Sequence, residues 1–403
     1  MFSRRASLHR DVTPLAARLD RARERGGLID LSESNPTRAG LSYPWEEIAA
    51  ALSDARAARY DPQPFGLPAA REAVASFTGA GVDPEDVILT ASTSEAYTFL
   101  LKLLCDPGDR VLAFRPGYPL TELLAELEEV AVDQVELHRE AGWAVVDPGE
   151  VRARLQPRTR AIVSISPANP TGQYLKRHEL EALAALAAAH GAPLIVDEVF
   201  AEYPRGAPPP PSDAVRRAAA HPTGALTFSL SGLSKLAGLP QLKLAWMVLS
   251  GPAGLRRAAR ERLELIADLF LSASTPVQVA LPALLPLGAR VRAQLQARVL
   301  ANLRTLESTR PPGATWSILP AEAGWSAVLR LPTHPGAEAR AWQLLDAGVW
   351  AQPGYLFDFA PGSGEYLVLS LLPEEPLFAE GARRLAAVLS TGADGDGAPT
   401  PTG

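Results

Sequence analysis

The chain has 403 residues, 47% of them hydrophobic and 21% charged, with a formal net charge of −6. This composition suits a globular protein with a large core and two domains, and without a basic block it excludes a nucleic-acid surface. The single cysteine, Cys105, excludes an internal disulfide, the six histidines lack metal-ligand spacing, and no apolar run approaches the roughly eighteen residues of a membrane span.

The N-terminus is rich in arginine (Arg4, Arg5, Arg10, Arg18, Arg21, Arg23, Arg25), interrupted by Asp11, Asp20 and Glu24. With no apolar core of signal type beside it, it reads as a solvated amphipathic arm, and a cytoplasmic location is expected. Apolar spacing predicts a helix from about Arg10 to Arg25, with Leu15 and Leu19 on one face, then a short strand over Leu28–Leu31. A turn-rich loop, Ser32-Glu-Ser-Asn35-Pro-Thr-Arg38-Ala-Gly40, leads to helices over Trp45–Arg59 and Ala69–Thr78. From Asp86 to Ser231, short apolar strands alternate with helical segments, the pattern of an α/β fold with a doubly wound, mainly parallel sheet. The chain turns helical from Leu255 to about Arg304. Strands over Gly324–Leu331 and Tyr366–Ser370, with a helix over Ala337–Ala347, then make a smaller α+β layer.

The expected organisation is a large domain (46–285) and a small domain (286–390) that the N-terminal arm (1–45) joins, so that both chain ends build it. Pro208–Pro211 reads as a surface spacer, and the Gly/Pro/Thr tail 391–403 has the composition of a disordered segment.

Three of these strands end in residues with chemistry. Ala225-Leu-Thr-Phe-Ser-Leu230 delivers Lys235 into the small-residue turn Ser231-Gly-Leu-Ser234-Lys235, where desolvation can lower a lysine pKa and make the amine a nucleophile. Pro193-Leu-Ile-Val-Asp197 ends in a carboxylate, and Ala161-Ile-Val-Ser-Ile-Ser166 runs into Pro167-Ala-Asn169-Pro-Thr-Gly172. In an open parallel sheet, ligands sit outside the carboxyl ends of the strands, which brings Asn169, Asp197 and Lys235 to one edge.

This order, an Asn-Pro-Thr-Gly turn, an Asp at a strand end and then Ser-x-x-Ser-Lys, resembles the fold-type I, class I/II aminotransferases, which use pyridoxal 5'-phosphate. The resemblance runs from about Ser32 to Leu389 and includes the landmark Gly348-Val-Trp-Ala-Gln-Pro353-Gly354. It implies that Lys235 holds the cofactor as a Schiff base, that Asp197 pairs with the pyridine nitrogen and that Asn169 bonds the ring hydroxyl. A carboxylate in that position keeps the ring protonated and able to accept electrons, and the freed lysine is the natural base for moving a proton.

Thr90-Ala-Ser92-Thr93-Ser94-Glu95 joins a strand to a helix, where free amides and the helix dipole favour an anion; plain N-capping by Ser92 or Ser94 is compatible with that role. The resemblance places the cofactor phosphate there, on Ser92 and Thr93. It adds Lys243 where an arginine is usual and a hydroxyl from Ser231 or Ser234; the usual serine position is Gly232. It also puts Tyr118 against the ring and Tyr60 on the phosphate of a neighbouring subunit, so a homodimer with shared sites is expected.

Two positions depart from the family pattern. The tyrosine usual three residues after the aspartate is Phe200, for which Tyr203 is a candidate substitute. The arginine that usually binds the substrate carboxylate is Val368. Arg38, beside Asn35 in the loop that the resemblance sets next to the substrate, is the first candidate replacement, and Arg330 the second; Asn169 is expected at the substrate too. The implied reaction is ping-pong transfer of an amino group between an amino acid and a 2-oxo acid. A β-eliminating carbon–sulfur lyase or related synthase would share the same lysine, aspartate and asparagine. A ligand-binding regulator on this fold would carry a fused DNA-binding region, of which the sequence shows no basic helix-turn-helix.

Overall fold

The computed structural model describes residues 3, 5, 13–140, 143–205 and 213–390. The proline run and the Gly/Pro/Thr tail lie outside the described residues.

The large domain is built on a seven-stranded sheet. Its strands are β1 (Val87–Thr90), β2 (Arg110–Arg115), β3 (Ala131–Glu136), β4 (Thr159–Ile165), β5 (Leu194–Asp197), β6 (Thr227–Gly232) and β7 (Ala245–Ser250). Their order across the sheet is β1-β7-β6-β5-β4-β2-β3, and only β7 runs antiparallel to its neighbours. All four residues of β1 and of β5 are buried, so these strands read as continuous apolar runs and not as alternating ones. Helices cover both faces. Thr93–Leu104 and Ala253–Phe270 bury Phe99, Leu100 and Leu263 on one, and Arg177–His190 buries Leu180 and Leu183 on the other. Because β7 is reversed, the carboxyl ends of β1, β4, β5 and β6 open on the same edge as the start of β7.

The small domain carries a four-stranded antiparallel sheet of β8 (Ser317–Ile318), β9 (Ser326–Leu331), β10 (Gln352–Pro353) and β11 (Glu365–Ser370), in the order β8-β9-β11-β10. The beginning of the chain belongs to this layer. Ile29–Asp30 pairs in parallel with Val349–Trp350, and Ser370 N donates to Leu31 O at 2.6 Å. Ile29 and Leu31 are buried in the small-domain core with Leu367, Leu369 and Phe378. The first described helix, Pro14–Arg25, starts at a Thr13 cap with proline in its first turn and packs Leu15 and Leu19 against Ala341 and Leu345.

Two helices differ from expectation. The helix expected over Trp45–Arg59 stops at Leu52, because Asp54 accepts a hydrogen bond from Arg56 N and opens a separate turn over Ala55–Ala58. The division expected at 285/286 falls inside a single helix of 35 residues, Thr275–Thr309, which contains Pro282 and Pro286. Both of these prolines are exposed, so their rings point to solvent and not into the core, and the helix continues. Its first half buries Val277, Leu281 and Leu284 in the large domain; its second half buries Val291, Leu295, Val299 and Leu306 in the small one. One helix thus packs into both of the cores that flank the cleft.

Candidate active site

A cleft of about 470 Å³ opens where the strand ends of the large domain face β9, β10 and β11, within the range of small-molecule sites. Lys235, Asp197 and Asn169 all line it, together with Ser92, Thr93, Tyr118, Ser234 and Lys243.

Asp197 ends β5 and is 5% exposed. Val199 N donates to its Oδ1 at 3.1 Å, and the Tyr97 hydroxyl donates to its Oδ2 at 3.2 Å. Burial pushes its pKa up to about 6, against the pull of these donors and of the Lys235 charge. Lys235 follows β6 in the short helix Leu233–Leu236. Burial lowers its pKa, and the Asp197 charge opposes that shift. Its Nζ lies 5.7 Å from the centroid of the Trp325 ring. A carboxylate and an amine, both disfavoured as ions by desolvation, therefore share one crevice, an environment suited to proton transfer.

The turns off the strands place the other groups. Ser92 caps the helix Thr93–Leu104, its Oγ accepting from Glu95 N at 3.1 Å, and the first-turn amides that have no intrahelical acceptor face the cleft end. Lys243 adopts left-handed backbone (φ +50°) just before β7 and is exposed at the rim. Tyr118 is half exposed on a turn tethered to the small domain by Gly117 N donating to Phe357 O at 2.9 Å. Ser326 Oγ donates to Asn169 Oδ1 at 3.4 Å and so links the Asn169 turn to β9.

Several expected residues stand elsewhere. Ser231 pairs with Trp246, whose side chain is buried on the other face of the sheet, and it lines a separate crevice with Glu198 and Arg217. Of the two serine candidates, only Ser234 faces the cleft. Gly232 leaves no space for a serine: a Cβ there would lie 2.7 Å from Ala245 Cβ. Arg38 is not at the cleft, its side chain being 74% exposed and 3.5 Å from Glu33, and Asn35 spends its Oδ1 on Thr37 N and Oγ1. Their loop instead contributes Ser32 and Ser34 to the lining. Arg330 is exposed, four residues along β9 from Ser326 and outside the lining of the cleft. Tyr60 is 76% exposed and outside the cleft of its own chain. Tyr203 does not replace the hydroxyl missing at Phe200. It is fully buried, donates to the Lys235 carbonyl at 2.5 Å, and packs edge-on against Trp325, as Phe200 does.

Sequence reasoning missed Tyr97, Trp325, Ser326 and Gln352. Tyr97 lies one helical turn past Thr93 on the helix that starts at the cleft, a spacing that aims it inward. Trp325 and Ser326 sit in the small domain, where no motif marks them; Gln352 lies within the Gly348–Gly354 landmark, which does not say which of its side chains faces the cleft.

The sequence and the fold both match a known family. The family model "Aminotransferase class I and II" matches residues 27–366, and the chain belongs to that family. It is 32% identical to the arginine–pyruvate transaminase AruH of Pseudomonas aeruginosa over 77% of this chain and 76% of that protein. With the glutamate–pyruvate aminotransferase AlaA of Escherichia coli it shares 28% identity over 66% of each chain, so the match spans just under two thirds of that relative. Among solved structures, the aspartate aminotransferase of Thermus thermophilus superposes with a TM-score of 0.78 at 26% identity, covering 96% of this chain and 99% of that one. An alanine aminotransferase from Pyrococcus furiosus shares the fold, with a TM-score of 0.83 at 22% identity over 97% and 100% of the chains.

Proposed function

We infer that the cleft binds pyridoxal 5'-phosphate, which the family uses, and that the protein transfers an amino group between an amino acid and a 2-oxo acid. The observation that carries this is the pairing of Asp197 and Lys235, whose charged forms burial disfavours, at the base of a cleft whose rim ends in a helix N-terminus. The donor set fits the group. Asp197, buried with only neutral hydrogen-bond donors on its oxygens, suits a protonated ring nitrogen. Lys235 Nζ is the amine that would hold the aldehyde carbon. Ser92, Thr93, Ser234 and Lys243 gather donors and one positive charge for a phosphate. Lysine keeps the charge there without the bidentate fork of arginine.

When bound, the cofactor supplies an electron sink for the substrate α-carbon. The rest falls to this chain. Tyr97 holds Asp197 in place and favours its ionised form. Lys235 would hold the cofactor through its Nζ and, as a free amine, would be the base that takes the proton from the substrate α-carbon and the acid that gives it to the cofactor carbon beyond the shared nitrogen. Asn169 and Tyr118 would orient the ring, and Trp325 and Phe200 form an apolar wall of the cleft that would keep water from the reacting carbon.

The relatives described above are aminotransferases, which favours transamination over β-elimination. The reading extends to a homodimer. Tyr60, Leu265, Leu269 and Phe270 are large, exposed and apolar, and Tyr60 and Leu271 border the same crevice, a surface suited to a second copy. Tyr60 would then reach the partner's phosphate.

The test is the absorbance spectrum of the purified protein. A yellow band, absent in Lys235→Ala, should fade with one amino acid and return with a 2-oxo acid. Release of pyruvate and ammonia with the band intact would select the lyase reading.

A further inference from the structure

Arg205 is 4% exposed, yet no acidic side chain pairs with it among the described residues. The nearby acids are committed elsewhere, Glu322 to Lys176 and Glu202 to Arg216 and Arg217. The guanidinium donates to backbone instead. Its Nε and Nη2 reach Ala323 O at 3.0 and 2.7 Å, and Nη2 also reaches Ser326 O. Carbonyl dipoles offset part of the cost of stripping water from a cation, and an anion offsets much more. Burial accordingly lowers the Arg205 pKa to about 10.

Its position gives the charge a use. The guanidinium stands directly behind Ser326, which lines the cleft and bonds Asn169. It also closes on the end of the Asn169 turn, where a Cβ on Gly172 would lie 3.3 Å from Nη2. On the cleft side of this wall the described lining residues include no arginine, and Val368 and Trp325 are apolar. The two lysines there, Lys235 and Lys243, belong to the cofactor under the reading above.

We propose that Arg205 is the charge partner of the substrate carboxylate, a positioning residue that acts through the wall formed by Ser326 and Asn169. The carboxylate takes its hydrogen bonds from neutral groups on that wall and its electrostatic stabilisation from the guanidinium behind it. The inference rests on the aminotransferase reading and says how a cleft with Val368 at its end accepts an acid.

The test compares the fastest of the twenty protein amino acids with its own α-carboxamide, in wild type, Arg205→Gln and Arg205→Lys, each carrying cofactor. Arg205→Gln should raise KM for the acid by roughly tenfold with little change in kcat, and leave KM for the amide where it was. Arg205→Lys, which keeps the charge, should preserve most of the preference for acid over amide. Equal losses for acid and amide, or no loss, would mean that Arg205 only staples two loops, and would overturn the proposal. Should Arg205→Gln not fold, the lysine variant decides alone: collapse of its acid preference sinks the idea. If wild type converts no amino acid at all, the aminotransferase reading has failed and the inference falls with it.

Discussion

Glu198, next to the aspartate at the base of the cleft, shows how strongly single side chains are perturbed here. Burial pushes its pKa up to about 8, although Ala218 N donates to it and the Arg217 charge favours its ionised form. A carboxyl whose folded pKa lies above its unfolded value stabilises the fold fully below about pH 4.5, and that contribution is lost as pH rises through about 8. Asp197 acts in the same sense, up to about pH 6. Glu198→Gln, which keeps the acceptor oxygen, should therefore flatten the fall in melting temperature between these limits and gain on the order of a few kcal/mol at the alkaline end. Thermal melts across pH read this directly; parallel curves for the two proteins would count against it. At Asp197 the matching change is Tyr97→Phe. Loss of the 3.2 Å hydrogen bond should move the carboxyl pKa above about 6 and carry the acid limb of the pH–rate profile with it. An unmoved limb would show that Tyr97 serves packing alone. Legibility at this scale followed position. Lys235, Asp197 and Asn169 could be placed because each follows an apolar run that had to be a buried strand. Arg38 misled because a motif loop fixes the path of the backbone and says nothing about where an exposed side chain turns.

Strand pairing decides which neighbours of the lysine can matter. Ser231 and Gly232 are adjacent in sequence and face opposite sides of β6, a parity that sequence alone leaves open until the register with β7 is known. In this register Gly232 sits against Ala245, so Gly232→Ser, which writes in the residue usual for the family, should cost about 1–3 kcal/mol in overpacking and lower the melting temperature. A second close contact supports the lysine from behind. A Cβ on Gly288, in the long helix, would lie 2.3 Å from Ala237 Cβ, two residues past Lys235. Gly288→Ala should destabilise the protein by a similar amount and also weaken cofactor retention, because the turn that carries Lys235 must move to make room. Full retention in a destabilised variant would separate the helix from the site. The alternating strands and helices of the large domain were readable because each apolar run is short and bounded by turn residues. The continuity of the helix Thr275–Thr309 was not, since its two interior prolines look like breaks until their exposure is known.

At the level of the whole molecule, the exposed side chains of Tyr60, Leu265, Leu269 and Phe270 predict self-association. Sedimentation should find a dimer, and charged residues at Leu265 and Leu269 should yield monomers with weakened cofactor binding if Tyr60 serves the neighbouring cleft. A monomeric wild type would refute both statements. The pairing of Ile29–Asp30 with Val349–Trp350, and of Leu31 with Ser370, has a further consequence for synthesis. Residues 29–31 are held by residues made only after the whole large domain, and Ser32 and Ser34 on the rim of the cleft follow directly from that clasp. On the ribosome the large domain can form while the start of the chain still waits for its partner strands. A nascent chain arrested before Val349 should thus leave the Pro14–Arg25 helix open to protease, and synthesis of the segment from Val349 to Ser370 becomes the step that closes the cleft.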